Sequence, residues 1–248
     1  MTGGLLVVVP VIWDVPADIC MGSMLAENSS AGFAHDEILV VDNSREGWGH
    51  KYGVRTHRDP DGHNLGVARS WNVGAREVLD RDLDYLVICS ASMQFGPMLH
   101  CTWRWQLEQF WGETVIETDG HSWHAIAFHR RVLERVGLFD PAFWPAYVEG
   151  IDYGYRMRVL GLEHGWRHVW FNALSQGHGM HVDRTTWDAP LCPFGPLDEF
   201  YRAKWGGPKL EETWVLPYGN KPIDYIVEEP IPVLAERYGL GPRFGGWW

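Results

Sequence analysis

The apolar positions of this chain fall into short unbroken runs set between polar turns. LLVVVPVI (5–12), EILVVDNS (37–44) and DYLVICSAS (84–92) are the clearest. A continuous β-branched run, rather than an alternating one, predicts a strand covered on both faces of a parallel sheet. Pro10 has no amide hydrogen to donate and is expected to end the first strand or sit at its C-terminal edge. The second run ends in Asp42, Asn43 and Ser44, the third in Ser90, Ala91 and Ser92. Polar residues at the C-terminal ends of parallel strands lie where open α/β sheets bind ligands.

Between these runs the spacing predicts helices around 16–30, over 64–80 with Asn64 as its cap, and over 97–112. A strand at 125–128, a short helix at 130–136 and a strand around 166–171 follow. The polar loop 45–63 is expected to carry Arg55 and His57 on a short strand. The alternation predicts an α/β domain: a mostly parallel sheet flanked by helices, joined by right-handed crossovers. After about residue 183 the composition changes, and 186–248 is rich in Pro, Gly and Trp. The expected organisation is a domain over 1–183 and an irregular extension over 184–248, with helices at 196–205 and near 231–238. That extension packs on the domain or meets an oligomer partner.

Composition narrows the function. The 248 residues carry a net charge of −11, which argues against a broad phosphate-binding surface. A local groove through Arg55, Arg58, Arg104, Arg130 and Arg131 is the exception to check. Fifteen Trp suggest flat apolar walls for sugars or bases, with core packing as the alternative for any one of them. Four Cys without a CxxC pair read as reduced thiols of a cytoplasmic protein. The N-terminal apolar run lacks a basic flank and is too short to span a bilayer. There is no G-x-S-x-G elbow, no P-loop and no G-x-G-x-x-G after the first strand, so hydrolase, phosphate-loop and dinucleotide readings lose support.

The stretch GLFDPAFWPAYVEGIDYGYR (137–156) concentrates the candidate chemistry. A turn is followed by the aromatics Phe143, Trp144 and Tyr147, and then by Glu149 and Asp152. Acids three apart share one face of a helix. A carboxylate at a helix start among aromatics can act as a base, or simply complement the helix dipole.

Taken together these residues resemble the GT-A nucleotide-sugar glycosyltransferases of the large inverting family 2, in particular rhamnosyl- and galactofuranosyltransferase-like members. Five blocks occur in the family's order: the strand ending near Pro10 and Val11; VVDNS with Asp42; NLGVARSWNVG with Asn64, Gly66, Asn72 and Gly74; RRVLERVGLFDPAF; and VEGIDYGYRMRVLGL. His178, in GHGMH, stands where many members place a His for the metal or diphosphate. The likeness covers about 5–182.

It implies a transferase that moves a sugar from a nucleotide-sugar donor, with a UDP-sugar favoured, to a hydroxyl of a glycan, protein or modified nucleobase, with inversion. It implies Pro10, Val11, Asp42, Asn64, Gly66, Arg69, Asn72, the 90–92 stretch and Trp123 on the donor side. Trp144 and Tyr147 are implied as acceptor walls, Glu149 and Asp152 as catalytic acids, and Mn2+ or Mg2+ as the metal, with His178 as a ligand.

Two departures touch chemistry. The D-x-D that normally ends the third strand and holds the metal is Ser90-Ala91-Ser92 here. The later acid pair is Glu149-Gly150, so the acid that is commonly the base is a glycine. His178, His181, Arg69 or Arg156 could then balance the leaving diphosphate. The departures also leave open a non-catalytic member that binds nucleotide-sugar or glycan. A phage-type enzyme acting on a modified DNA base or a virion protein is the other alternative.

Overall fold

The three apolar runs form neighbouring strands at the centre of one sheet. The computed structural model describes residues 3–12, 14–44, 47–48, 51–118, 122–162, 166–175 and 194–238. Strands β1 (Leu5–Val11), β2 (Ile38–Asp42), β3 (Arg55–His57) and β4 (Tyr85–Cys89) are mutually parallel, in the order β3-β2-β1-β4. Leu5, Val7, Val9 and Val11 pack under helix α1 (Asp14–Met24), which offers Ala17, Cys20, Met21 and Met24. Leu6 and Val8 pack on the other face, under Ala68, Trp71, Ala75 and Val78 of helix α2 (Gly66–Asp80). Cover on both faces is why these strands are apolar without alternation.

Pro10 sits at the C-terminal edge of β1, one residue before the strand ends at Val11. The Val11 carbonyl accepts from Asn43 beside β2, so Pro10, one residue earlier, faces β4. Pairing with β4 stops at Val8–Ile88, and the missing amide hydrogen costs no ladder bond there.

The sheet is more mixed than the sequence suggests. Short β5 (Met93–Phe95) leaves it, followed by helix α3 (Trp103–Gln109) and β6 (Val115–Thr118). Strand β7 (Ala125–His129) is antiparallel to both β4 and β6, and β8 (Trp166–Val169) runs parallel to β6. The full order is β3-β2-β1-β4-β7-β6-β8. A separate ribbon pairs β5 with β9 (Ala173–Ser175). The helix expected over 97–112 is confined to α3, because Thr102 caps it and accepts from the Trp105 amide. Likewise α1 stops at Met24, short of the expected residue 30.

Helices α4 (Arg130–Val136) and α5 (Glu149–Val159) complete the α2 face, with Val132, Leu133, Tyr153 and Met157 in the shared core. Helix α6 (Phe194–Trp205) and helix α7 (Ile231–Arg237) belong to the C-terminal stretch. Leu197, Tyr201, Trp205 and Leu234 form a third core with Phe143, Trp144 and Tyr155. Trp48, Trp103 and Trp205 are fully buried, so part of the tryptophan content is core filling.

Candidate functional site

The sheet register assembles the site at one edge. In parallel strands all C-terminal ends lie together, which places Pro10–Val11, Asp42–Ser44 and Ser90–Ser92 side by side. Strand β7 runs the other way, with Ala125 beside Cys89, so Trp123 and His124 lead into it at that same edge. Pro10, Ser90, Ala91, Ser92, Trp123 and His124 are all half-buried there.

Each glycine and asparagine of the 64–74 block has a distinct mechanical role. The Asn64 side chain accepts from the Gly66 amide at 2.8 Å, and the Asn64 carbonyl accepts from Trp144 Nε1 at 3.1 Å. Gly66 has φ +72, and a Cβ on it would stand 2.6 Å from Trp144 Cδ1, so only glycine fits. Asn72 exchanges two hydrogen bonds with the backbone of Phe139, at 2.7 and 2.8 Å. A Cβ on Gly74 would lie 2.0 Å from Val8 Cγ2, so α2 lies directly on β1. Asn72, expected on the donor, therefore fixes the 137–140 turn to α2.

Asp42 is equally occupied. Its Oδ1 accepts from the Ser44 amide and hydroxyl at 2.9 and 2.6 Å, and its Oδ2 from the Trp48 amide at 2.7 Å and Arg58 at 3.1 Å. Asn43, beside it at the strand end, joins three elements. It accepts from the Leu65 amide at 2.9 Å, donates to Ser70 at 2.9 Å and uses its own amide on Val11.

Arg69 does not reach toward the strand ends as expected. It donates to the Glu229 carbonyl, stands 3.6 Å from the Glu228 carboxylate, and lines a cleft of about 340 Å3 with Asn72, Arg76 and Glu228. The five-arginine groove also fails to form as a free surface. Arg55 pairs with Glu77, Arg58 with Asp42, Arg104 with Glu37 and Glu108, and Arg130 with Asp82 and Glu134; Arg131 donates to the Gly112 carbonyl.

The two acids of α5 have opposite surroundings. Asp152 is fully buried and saturated. Its Oδ2 accepts from Arg156 Nε at 3.0 Å, and its Oδ1 from Trp205 Nε1 at 2.9 Å, with Lys204 Nζ 2.8 Å away. Burial pushes its carboxyl up, but Lys204 and Arg156 outweigh that and hold it below the usual range. Arg156 is also fully buried and donates to the carbonyls of Val136 and Leu138, at 2.9 Å each. It cannot double as a diphosphate ligand from that position.

Glu149 is 5 % exposed, and its Oε2 has no hydrogen-bond partner. Burial pushes its carboxyl up to about 8, against the pull of the backbone amides of residues 147–149. It follows Tyr147, which holds φ at +94, a conformation L-residues rarely keep without constraint. Asn64, whose carbonyl accepts from Trp144, also has a buried Nδ2 without a partner. Trp144 is 3 % exposed against Gly66 and offers no open face as an acceptor wall. Tyr147 is half-buried.

Trp123 explains the missing acid. A Cβ on Gly150 would stand 2.6 Å from Trp123 Cδ2. The indole stacks on Trp71 at 6.1 Å, meets Phe139 edge-on and lies tilted against Phe128.

The residues at the D-x-D position do not suit a divalent cation. Ser90 and Ser92 share a hydrogen bond at 2.8 Å, and Ser92 Oγ lies 3.3 Å from His124 Nδ1. Hard dications favour oxygen ligands that include carboxylates, and this set supplies no carboxylate. Among the described residues one group of three ligand-type side chains comes together, Asp59, Asp61 and His63, and it lies on the turn before α2. There the Asp59 carboxylate accepts from the Asp61 and His63 amides. His178 and His181 lie outside the described residues. Cys20, Cys89 and Cys101 are free thiols. Among the described residues no helix is long and apolar enough to cross a membrane.

No protein-family model and no curated protein matches the chain by sequence. Its likeness is to solved structures. Glucosyl-3-phosphoglycerate synthase from Mycobacterium tuberculosis, solved with Mn2+, UDP and phosphoglyceric acid, matches over 90% of each chain, with 12% identity and a TM-score of 0.50. S. aureus TarS 1-349 with UDP matches over 82% of this chain and 72% of its own, with 9% identity and a TM-score of 0.50. Mannosyltransferase PcManGT from Pyrobaculum calidifontis, solved with GDP-Man and Mn2+, matches over 79% of this chain, with 13% identity and a TM-score of 0.49; the chain spans only 64% of its length. With its seven-stranded, mostly parallel sheet between helices and its likeness to the synthase and TarS structures, the chain is an α/β protein of the GT-A fold.

Proposed function

We propose that the chain is a glycosyltransferase that moves a sugar from a nucleotide-sugar donor to a hydroxyl acceptor with inversion, using Glu149 as the base. The observation that carries the reading is the buried Glu149 carboxyl at the start of α5, whose Oε2 has no hydrogen-bond partner. A carboxyl held near 8 by burial is poised to exchange a proton at neutral pH. In the step, Glu149 takes the acceptor hydroxyl proton. The acceptor oxygen bonds to the sugar's anomeric carbon, and the bond from that carbon to the diphosphate breaks, its electron pair leaving with the diphosphate. Asp152 serves as a positioning residue, because both its oxygens are taken up by Arg156, Trp205 and Lys204.

UDP-sugars are the favoured donor class. The solved TarS and synthase neighbours carry UDP, and the GT-A fold is shared. The test incubates the protein with UDP-, GDP- and dTDP-sugars and simple hydroxyl acceptors. It reads nucleoside diphosphate release and the anomer of the product. A product of unchanged anomeric configuration, or full activity in Glu149→Gln, sinks this mechanism. The second reading, a protein that binds nucleotide-sugar without transferring it, is favoured by Gly150 and by the serines of the D-x-D position. Donor binding with no turnover for any acceptor would select it.

A further inference from the structure

The serines at the end of β4 are not simply a lost metal site. Their hydroxyls are joined at 2.8 Å, Ser92 reaches His124 Nδ1 at 3.3 Å, and the Ser90 amide donates to the His124 carbonyl at 2.7 Å. The Ser92 amide donates back to Ser90 Oγ at 3.2 Å. Two chain segments, one leaving β4 and one entering β7, are thus tied into one cluster by backbone and side chain alike. All three residues are half-buried at the ligand edge of the sheet.

We propose that the Ser90–Ser92–His124 cluster binds the donor's diphosphate directly, with hydroxyl and imidazole protons taking the place of a divalent cation. This rests on the nucleotide-sugar reading above. The chemistry of the set points to an anion. Hydroxyls and an imidazole can all donate to an anion, and the set brings no negative charge to offset a dication.

The hydrogen-bond chain also has a direction. If His124 Nδ1–H donates to Ser92, then Ser92 donates to Ser90, and the Ser90 proton is left to point at a phosphate oxygen. Trp123, next to His124, fills the space above Gly150. The chain segment that carries His124 therefore also packs against the first turn of α5.

The experiment is calorimetric binding of UDP, GDP and a UDP-sugar to the full chain, in EDTA and in Mn2+. Binding that persists in EDTA and falls at least about tenfold in Ser92→Ala and in His124→Gln supports the proposal, about tenfold being one lost 1.4 kcal/mol interaction. Unchanged unfolding temperatures of the ligand-free variants show that the loss is not misfolding. The double variant Ser90→Asp/Ser92→Asp should then require Mn2+ for the binding the parent shows without it. Binding by the parent only in Mn2+ overturns the proposal and leaves the nucleotide-sugar reading standing. Equal binding by parent, Ser92→Ala and His124→Gln in EDTA also overturns it. No binding of any of the three probes in either condition overturns the nucleotide-sugar reading itself, and this inference with it.

Discussion

Trp123 occupies the volume that a side chain at residue 150 would need, its Cδ2 standing 2.6 Å from where a Cβ on Gly150 would lie. The glycine and the tryptophan are therefore one feature. Gly150→Asp should destabilise the protein by about 1–3 kcal/mol through overpacking. The same change in a Trp123→Ala background should cost less, since the space has been opened. Urea midpoints of the four proteins in this cycle measure the coupling. Equal costs in both backgrounds would separate the two residues.

Glu149 gives a pH signature. Its folded carboxyl sits near 8, above the ordinary value of about 4.3, so the folded state holds a proton that the unfolded state releases. Wild-type stability therefore falls as pH rises between those values and levels off above about 8. Glu149→Gln cannot titrate, so its melting temperature should gain on wild type across that window while transfer is lost. A difference that stays constant from pH 5 to pH 9 would contradict the burial argument.

The activity of the wild type should rise with pH toward a midpoint near 8, because a base must be ionised before it accepts a proton. The profile of kcat/KM for the free enzyme measures it. A profile that falls with pH over this range would assign Glu149 the role of an acid.

Lys204 neutralises two carboxylates at once, Asp140 at 2.7 Å and Asp152 at 2.8 Å, all three fully buried. Lys204→Met keeps the volume and removes the charge, and should cost about 3–5 kcal/mol. Chemical denaturation checks the magnitude. A loss below about 1 kcal/mol would mean that Arg156 alone satisfies Asp152.

Asn72→Ala should cost about 2–4 kcal/mol, because it orphans both the amide and the carbonyl of buried Phe139. Binding of nucleoside diphosphate by the folded variant should persist, since the side chain spans α2 and the turn. A large loss of that binding at unchanged stability would return Asn72 to the donor site.

The central strands were legible because a residue covered on both faces has no polar alternative. β1, β2 and β4 read directly as apolar runs. β5, β6 and β9 hold three or four residues each, too few for any periodicity to register, and the antiparallel insertion of β7 followed from nothing in its own sequence. Asn64, Gly66, Asn72 and Gly74 were recognisable as a block, but their work lies in partners such as Trp144, Phe139 and Val8, which spacing does not reveal. At three residues' separation, Glu149 stood only slightly ahead of Asp152. What divides them is Lys204 and Trp205, some fifty residues onward. Gly150 was visible as a departure, while the ring that fills its place was not.

The link between Lys204 and α5 has a consequence for the order in which the protein is made. Synthesis runs from the N-terminus, and early segments begin to fold while later ones are still being added. The sheet strands and α5 are complete before Lys204, 64 residues after its partner Asp140, has been joined to the chain. Until then Asp140 and Asp152 lack that cation, and burying them is unfavourable. Full seating of α5 is therefore expected to wait for α6, and a chain truncated before Lys204 should hold that helix less firmly.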